Sequence, residues 1–187
     1  MRLLKYALLT LIAFGFASQS LANTNVDIKN SSFKWSASKK IGDGHHGTIK
    51  LKSAKAKIEK GKIVSGEFVM DMTSFTVDDL DGEWEQKFLN HVKSGDFFLV
   101  GEYPEATLVI TGQKDKDTAV GTLTIKEKPH PIEIDFNKKG NTYTGTMVFD
   151  RTKYDITYNS SKFFEKLAAD KIINDEVKVE FEVKTTK

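Results

Sequence analysis

Apolar and polar residues alternate with a period of two along most of the chain. Phe33 and Trp35 alternate with Lys34 and Ser36, and Ile49 and Leu51 with Lys50 and Lys52. Phe68, Met70 and Met72 alternate with Glu67, Val69 and Asp71. Leu123 and Ile125 stand between Thr122, Thr124 and Lys126, and Ile132, Ile134 and Phe136 flank Glu133 and Asp135. Tyr143, Gly145, Met147 and Phe149 share one face, and Val177, Val179, Phe181 and Val183 alternate with lysines and glutamates. Successive side chains of a strand point to opposite faces, so each run predicts a strand with one apolar and one wet face. Glu59-Lys60-Gly61-Lys62, residues 114–118 and Lys138-Lys139-Gly140-Asn141 read as the turns between them.

Two segments break the alternation. Leu80 to Val92 places Trp84, Phe88, Leu89 and Val92 at helical spacing, and Gly95 can end that helix. A second short helix is predicted from Lys162 to Asp170. There is no βαβ rhythm, Gly-rich phosphate loop or internal repeat. The pattern predicts an all-β protein of about eight antiparallel strands with one or two short helices. Such a sheet can fold into a filled sandwich or close into a barrel that fills itself or holds one small ligand. Periodicity does not choose between them. The inward set is long and soft, with Phe33, Trp35, Phe68, Met70 and Met72 in the first half and Phe136, Met147, Phe149 and Phe181 in the second. Methionine adapts to pockets and cores alike.

The N-terminus changes the domain boundaries. Arg2 and Lys5 precede an apolar run from Tyr6 to Phe16, and Ser20-Leu21-Ala22 puts small residues before a cut after Ala22. This is the build of a secretory signal peptide, too short in its apolar part to span a bilayer. Residues 1–22 are read as the signal and 23–187 as one all-β domain, periplasmic or secreted after cleavage. No later segment is long and apolar enough to span a membrane.

Composition then removes several functions. The whole chain has 28 basic and 26 acidic residues. The leader carries two basic residues and no acidic one, so the exported part is balanced and lacks the footprint of a nucleic-acid binder. Cysteine is absent, which excludes disulfides, a thiolate nucleophile and acylation at the cleavage point. His45, His46, His91 and His130 show no i, i+4 metal-binding pair, so no metal is expected. Ser74, Ser94, Ser160 and Ser161 lack a nucleophile-elbow context. Asp71 and Asp150 would need a paired geometry to act as acid and base. With no haem or flavin motif either, the reading is non-enzymatic and without a cofactor. Arg151 is the single arginine beyond the leader, against 25 lysines. Its planar donor set suits either a ligand's head group or a fixed salt bridge.

Five segments sharpen this reading. They are His46-Gly47-Thr48-Ile49-Lys50-Leu51, Asp71-Met72-Thr73-Ser74-Phe75, the stretch from Leu89-Asn90-His91 through Asp96-Phe97-Phe98 to Tyr103-Pro104-Glu105-Ala106, then Gly121 to Lys126, and Asp150-Arg151-Thr152-Lys153-Tyr154. In this order the chain resembles the YceI-like family. The resemblance implies a lipocalin-like antiparallel barrel that binds a long apolar molecule, such as a polyisoprenoid, a quinone-like compound or a fatty-acid derivative. It also implies transport or sequestration rather than chemistry, and a homodimer is an expectation from the same source. The expected apolar lining adds Phe75, Leu123, Ile125, Ile134 and Tyr154 to the inward set above, with Trp84, Phe88 and Phe98 over one barrel end. Arg151 is the expected polar contact at the head group or mouth. The alternative is a structural β-sandwich or interaction protein with a filled core and no ligand. Two positions depart from the family: Glu127 and Asp155 stand where glycine is usual.

Overall fold

Each period-two run folds as a strand, and the strands close on themselves. The computed structural model describes residues 24–186, so the leader read over residues 1–22 lies outside the described residues. The strands are β1 (Asn25–Val26), β2 (Ser32–Lys39), β3 (His45–Glu59), β4 (Lys62–Asp71) and β5 (Glu105–Gln113). After them come β6 (Thr118–Ile125), β7 (Lys128–Lys139), β8 (Thr142–Asp150) and β9 (Ile173–Thr186). Neighbours from β2 to β8 pair antiparallel in chain order, and β9 pairs with both β8 and β2. The result is a closed eight-stranded antiparallel barrel, with β1 a two-residue addition beside the end of β9.

The apolar faces turn inward as the alternation requires. Phe33, Trp35, Leu123, Ile134, Met147 and Val179 are all buried. β5 has the same alternation in Ala106, Leu108 and Ile110, blurred in sequence by the apolar but outward Val109, which is 38% exposed. β3 is long because it serves two neighbours. His45–Ile49 pairs with β2 and Lys50–Glu59 with β4, and its register shifts at Leu51/Ser53 and Lys57/Ile58. Such bulges bend a strand and let it follow a barrel wall.

The helix α1 (Gly82–Val92) forms at the predicted place and lies over one end of the barrel. The short helix expected from Lys162 to Asp170 does not form. That segment runs as turns anchored on Ser160, whose carbonyl accepts from Phe163 N and Phe164 N at 3.1 Å and whose Oγ accepts from Lys162 N at 3.2 Å. Phe163 and Phe164 are 56% and 46% exposed. An isolated helix this short is unstable unless packing holds its apolar face, and here Phe163 and Phe164 stay in solvent.

The tight hairpins need left-handed backbone. Lys60 and Gly61 have φ of 50° and 82°, and the β6–β7 turn puts Lys126 at 49° and Glu127 at 58°. Left-handed backbone at a residue with a Cβ costs about 1–2 kcal/mol, so Glu127 retains a strain that glycine would relieve. Glu127 is exposed, so its side chain has little packing to lose. Glu127→Gly is expected to raise stability by about 0.5–1 kcal/mol, after allowing for glycine's greater unfolded-state freedom. A thermal melt should show a rise of about 2 °C.

Candidate ligand-binding site

The closed sheet does not fill its interior. A cavity of about 320 Å³ occupies the end of the barrel near α1. Its wall is carbon, drawn from Trp35, Ile49, Met70, Ala106, Leu123 and Val179 on six different strands. A smaller cavity of about 80 Å³ lies toward the hairpin end, between residues such as Phe33, Ile58, Ile63, Phe68 and Phe181. Apolar cavities favour apolar occupants, because a water inside would have too few polar partners.

The expected lining residues divide between the two. Met70, Met72, Trp35, Leu123, Ile125 and Phe149 border the larger cavity, with Phe75, Phe88 and Phe98 at its end. Phe33, Phe68, Ile134, Phe136 and Phe181 border the smaller. Met147 borders both. Two expectations are corrected. Trp84 lies on the outer side of α1, 70% exposed, with the Lys87 ammonium 4.9 Å from its ring centre. Helical spacing placed it with Phe88, but the two are on neighbouring turns that the barrel contacts unequally. Tyr154 lines neither cavity. It is buried in the wall at 1% exposure, between His130 and Phe149, and its hydroxyl lies 3.4 Å from Leu123 O. Burial pushes its phenol pKa up to about 12, with the Asp150 charge adding to the rise.

An aromatic stack closes the larger cavity. The Trp35 ring lies 4.6 Å from Phe75 and 6.0 Å from Phe88. Trp35 Nε1 donates to Thr76 O at 2.9 Å. Gly47 makes this approach possible, since a Cβ there would lie 2.1 Å from the same Thr76 oxygen. The loop is fastened further by Thr76 N donating to Thr48 O at 3.0 Å and Lys50 N donating to Ser74 Oγ at 2.9 Å.

Several rim residues escaped the sequence reading. Lys39, His45, His91, Tyr158 and Lys171 border the larger cavity. His45 Nδ1 is 2.8 Å from Asp79 Oδ2, and His91 Nε2 is 3.0 Å from Asp96 Oδ2. His91 could have been found from its place one turn after Phe88; Lys39 and His45 are the last residue of β2 and the first of β3, and Tyr158 and Lys171 come from the turns between β8 and β9. Among the described residues, no group of three or more His, Cys, Asp or Glu is placed to hold a metal ion.

Comparison with known proteins gives this geometry a family. The YceI-like domain model matches residues 24–185. The chain belongs to the YceI-like family. UPF0312 proteins of Staphylococcus aureus, from strains USA300 and NCTC 8325, are 31% identical over 105 residues. That match covers 50% of this chain and 61% of each relative. Among solved structures, Burkholderia cenocepacia BcnA superimposes with a TM-score of 0.65 at 23% identity, covering 87% of this chain and 100% of that one. A Campylobacter jejuni YCEI protein matches at 0.53 and 16% identity, over 99% of both chains.

In this YceI-like barrel Arg151 is a clamp. It is 2% exposed, and although it borders the cavity its donors point elsewhere. Nε donates to Asn174 O at 3.1 Å, Nη1 to Ile156 O at 2.8 Å, and Nη2 to Ile173 O at 3.0 Å. Asp175 Oδ1 lies 3.5 Å from Nη2. These bonds tie the turn after β8 to the start of β9. Burial lowers the guanidinium pKa, opposed by the charges of Asp175 and Asp150. The expected contact with a ligand head group is thus replaced by backbone carbonyls.

Asp71 and Asp150 are two copies of one local device. Each begins a 3-10 turn, its Oδ1 accepting from the backbone N at 2.9 Å and the hydroxyl at 2.6 Å of a threonine two residues on. Asp150 Oδ2 also accepts from Lys162 Nζ at 2.7 Å. Burial opposes its charge, but the bonds from Lys162 and Thr152 prevail and hold its carboxyl below the ordinary 3.8. A carboxyl lowered on folding stabilises the fold above its unfolded pKa, and that gain is lost as pH falls through the folded pKa. Stability should therefore hold from neutral pH to about 5 and fall below about 4, and Asp150→Asn should flatten the fall. Urea titrations at a series of pH values test this. Arg151→Lys keeps the charge but cannot serve three carbonyls at once. It is expected to cost about 2–4 kcal/mol in a urea melt.

Proposed function

We propose that this chain is an exported, non-enzymatic carrier that holds a long-chain apolar ligand, such as a polyisoprenoid, quinone-like or fatty-acid derivative, inside the barrel. The carbon-lined cavity beneath the Trp35–Phe75–Phe88 stack carries the reading. Each methylene moved from water into such a wall gains about 0.8 kcal/mol, so a chain of about ten carbons needs few polar contacts. The polar end of the ligand stays at the rim, among Lys39, His45, His91 and Lys171. Export is supported by the signal-peptide pattern of residues 1–22.

The filled-core alternative requires an interior without space, and about 320 Å³ of unfilled volume weighs against it. Solvent extraction of the purified protein, followed by mass spectrometry, should release an apolar molecule in near-stoichiometric amount. Ala106→Phe places a ring in the larger cavity, where space spares it most of the usual overpacking cost. With the fold intact by circular dichroism, ligand retention should fall at least about tenfold, since the ring displaces several methylenes. Extracts empty of any apolar molecule, or unchanged retention in Ala106→Phe, would speak for the filled-core reading.

A further inference from the structure

Inward side chains two residues apart on one strand fall into different cavities. Trp35 borders the larger and Phe33 the smaller on β2, and Met70 and Phe68 divide in the same way on β4. Ala106 and Leu108 do so on β5, and Val179 and Phe181 on β9. Two residues advance about 6.6 Å along a strand, so the cavities lie end to end along the barrel rather than side by side.

On β8 the division passes through a side chain. Tyr143 borders the smaller cavity, Phe149 the larger, and Met147 both. Gly145, between Tyr143 and Met147 on this face, leaves its place to Phe181; a Cβ there would lie 2.7 Å from the Phe181 ring. Met147 sits opposite Val179 in the β8–β9 ladder, and Val179 sits opposite Trp35 in the β2–β9 ladder. One layer therefore runs Trp35, Val179, Met147, and the next runs Phe33, Phe181, Gly145. Valine is stiff and the Trp35 indole is held by its bond to Thr76, whereas methionine has three rotatable bonds and no polar tether.

We propose that the smaller cavity is a terminal subsite for the far end of the ligand chain, and that Met147 is the movable partition that sets how long a chain the barrel accepts. This rests on the carrier reading above. With about 30 Å³ for each methylene-sized group, the larger cavity takes about ten carbons and the smaller about three more. The smaller cavity is walled by side chains such as Ile134, Phe136 and Val183, so the chain end that enters it is hydrocarbon. The ligand class is thus single-headed, with one polar end at the rim and a tail without polar groups.

The test is a ladder of straight-chain fatty amides from about eight to about eighteen carbons, with affinity expected to rise about fourfold per methylene while the tail finds room. Wild-type protein should follow that slope to about ten buried carbons, rise less steeply over about three more as Met147 moves aside, and then flatten. Met147→Ala should hold the full slope over those three carbons, a rise of roughly 60-fold across them, and Met147→Phe should abolish the rise where the larger cavity ends. A terminal hydroxyl on a long probe should cancel that rise in Met147→Ala, because it would be buried without a partner. Thermal melts of both variants establish that they are folded, and because one variant opens the partition and the other blocks it, either alone is informative. Coincident length profiles in the three proteins overturn the partition while leaving the carrier reading in place. Wild-type protein that binds no amide overturns the carrier reading and the subsite with it.

Discussion

Strand β9 is hydrogen-bonded on both sides, and the rest of the molecule depends on that. Its residues from Ile173 to Glu182 pair with β2, and those from Glu176 to Lys184 pair with β8. An open sheet of eight strands would leave two long unpaired edges and expose its apolar face. Closure through β9 removes the edges of the barrel strands and turns every inward face toward one axis. The cavities follow from that geometry, because eight strands enclose a space just wide enough for side chains to fill or for one small ligand.

The closure is held at its weakest point, where the chain leaves β8 and must return as β9. Some twenty residues intervene, and most of them form turns rather than a helix or strand. Arg151 binds carbonyls on both sides of that excursion, and Lys162 joins Asp150 to Asp175 across it, at 2.7 and 3.1 Å. A lysine in the place of Arg151 would gather its three donors on one nitrogen, whereas the guanidinium spreads five over a planar fork, and each of its three nitrogens here meets a different carbonyl. The one arginine that follows Arg2 in the chain thus has an architectural role.

The opposite constraint operates at the cavity end. Here a tryptophan is fixed by a backbone carbonyl, the glycine that admits the carbonyl carries no side chain, and a helix lays Phe88 over the stack. The wall is rigid where the ligand would enter and softer in the middle, where Met147 lies. Met147 can change shape there without disturbing the ladder of backbone bonds.

Much of this was legible in the sequence. Alternation determined the strands and their inward faces, because a period of two has one structural meaning, and helical spacing determined α1. Motif order pointed to the YceI-like family before any coordinates. Other matters belonged to the tertiary structure alone. Trp84 and Phe88 share a helix, but only the packing of that helix shows that one faces water and the other the cavity. Phe149 and Tyr154 were both expected in the lining, yet the turn after Asp150 carries Tyr154 into the wall. Arg151 could be recognised as unusual from composition, while its three carbonyl partners lie five to more than twenty residues away in the chain. The second helix failed because Phe163 and Phe164 stay in solvent. Sequence periodicity reports which face a side chain takes on its own strand; whether that face meets another side chain, a carbonyl or empty space depends on strands brought together only when the barrel closes.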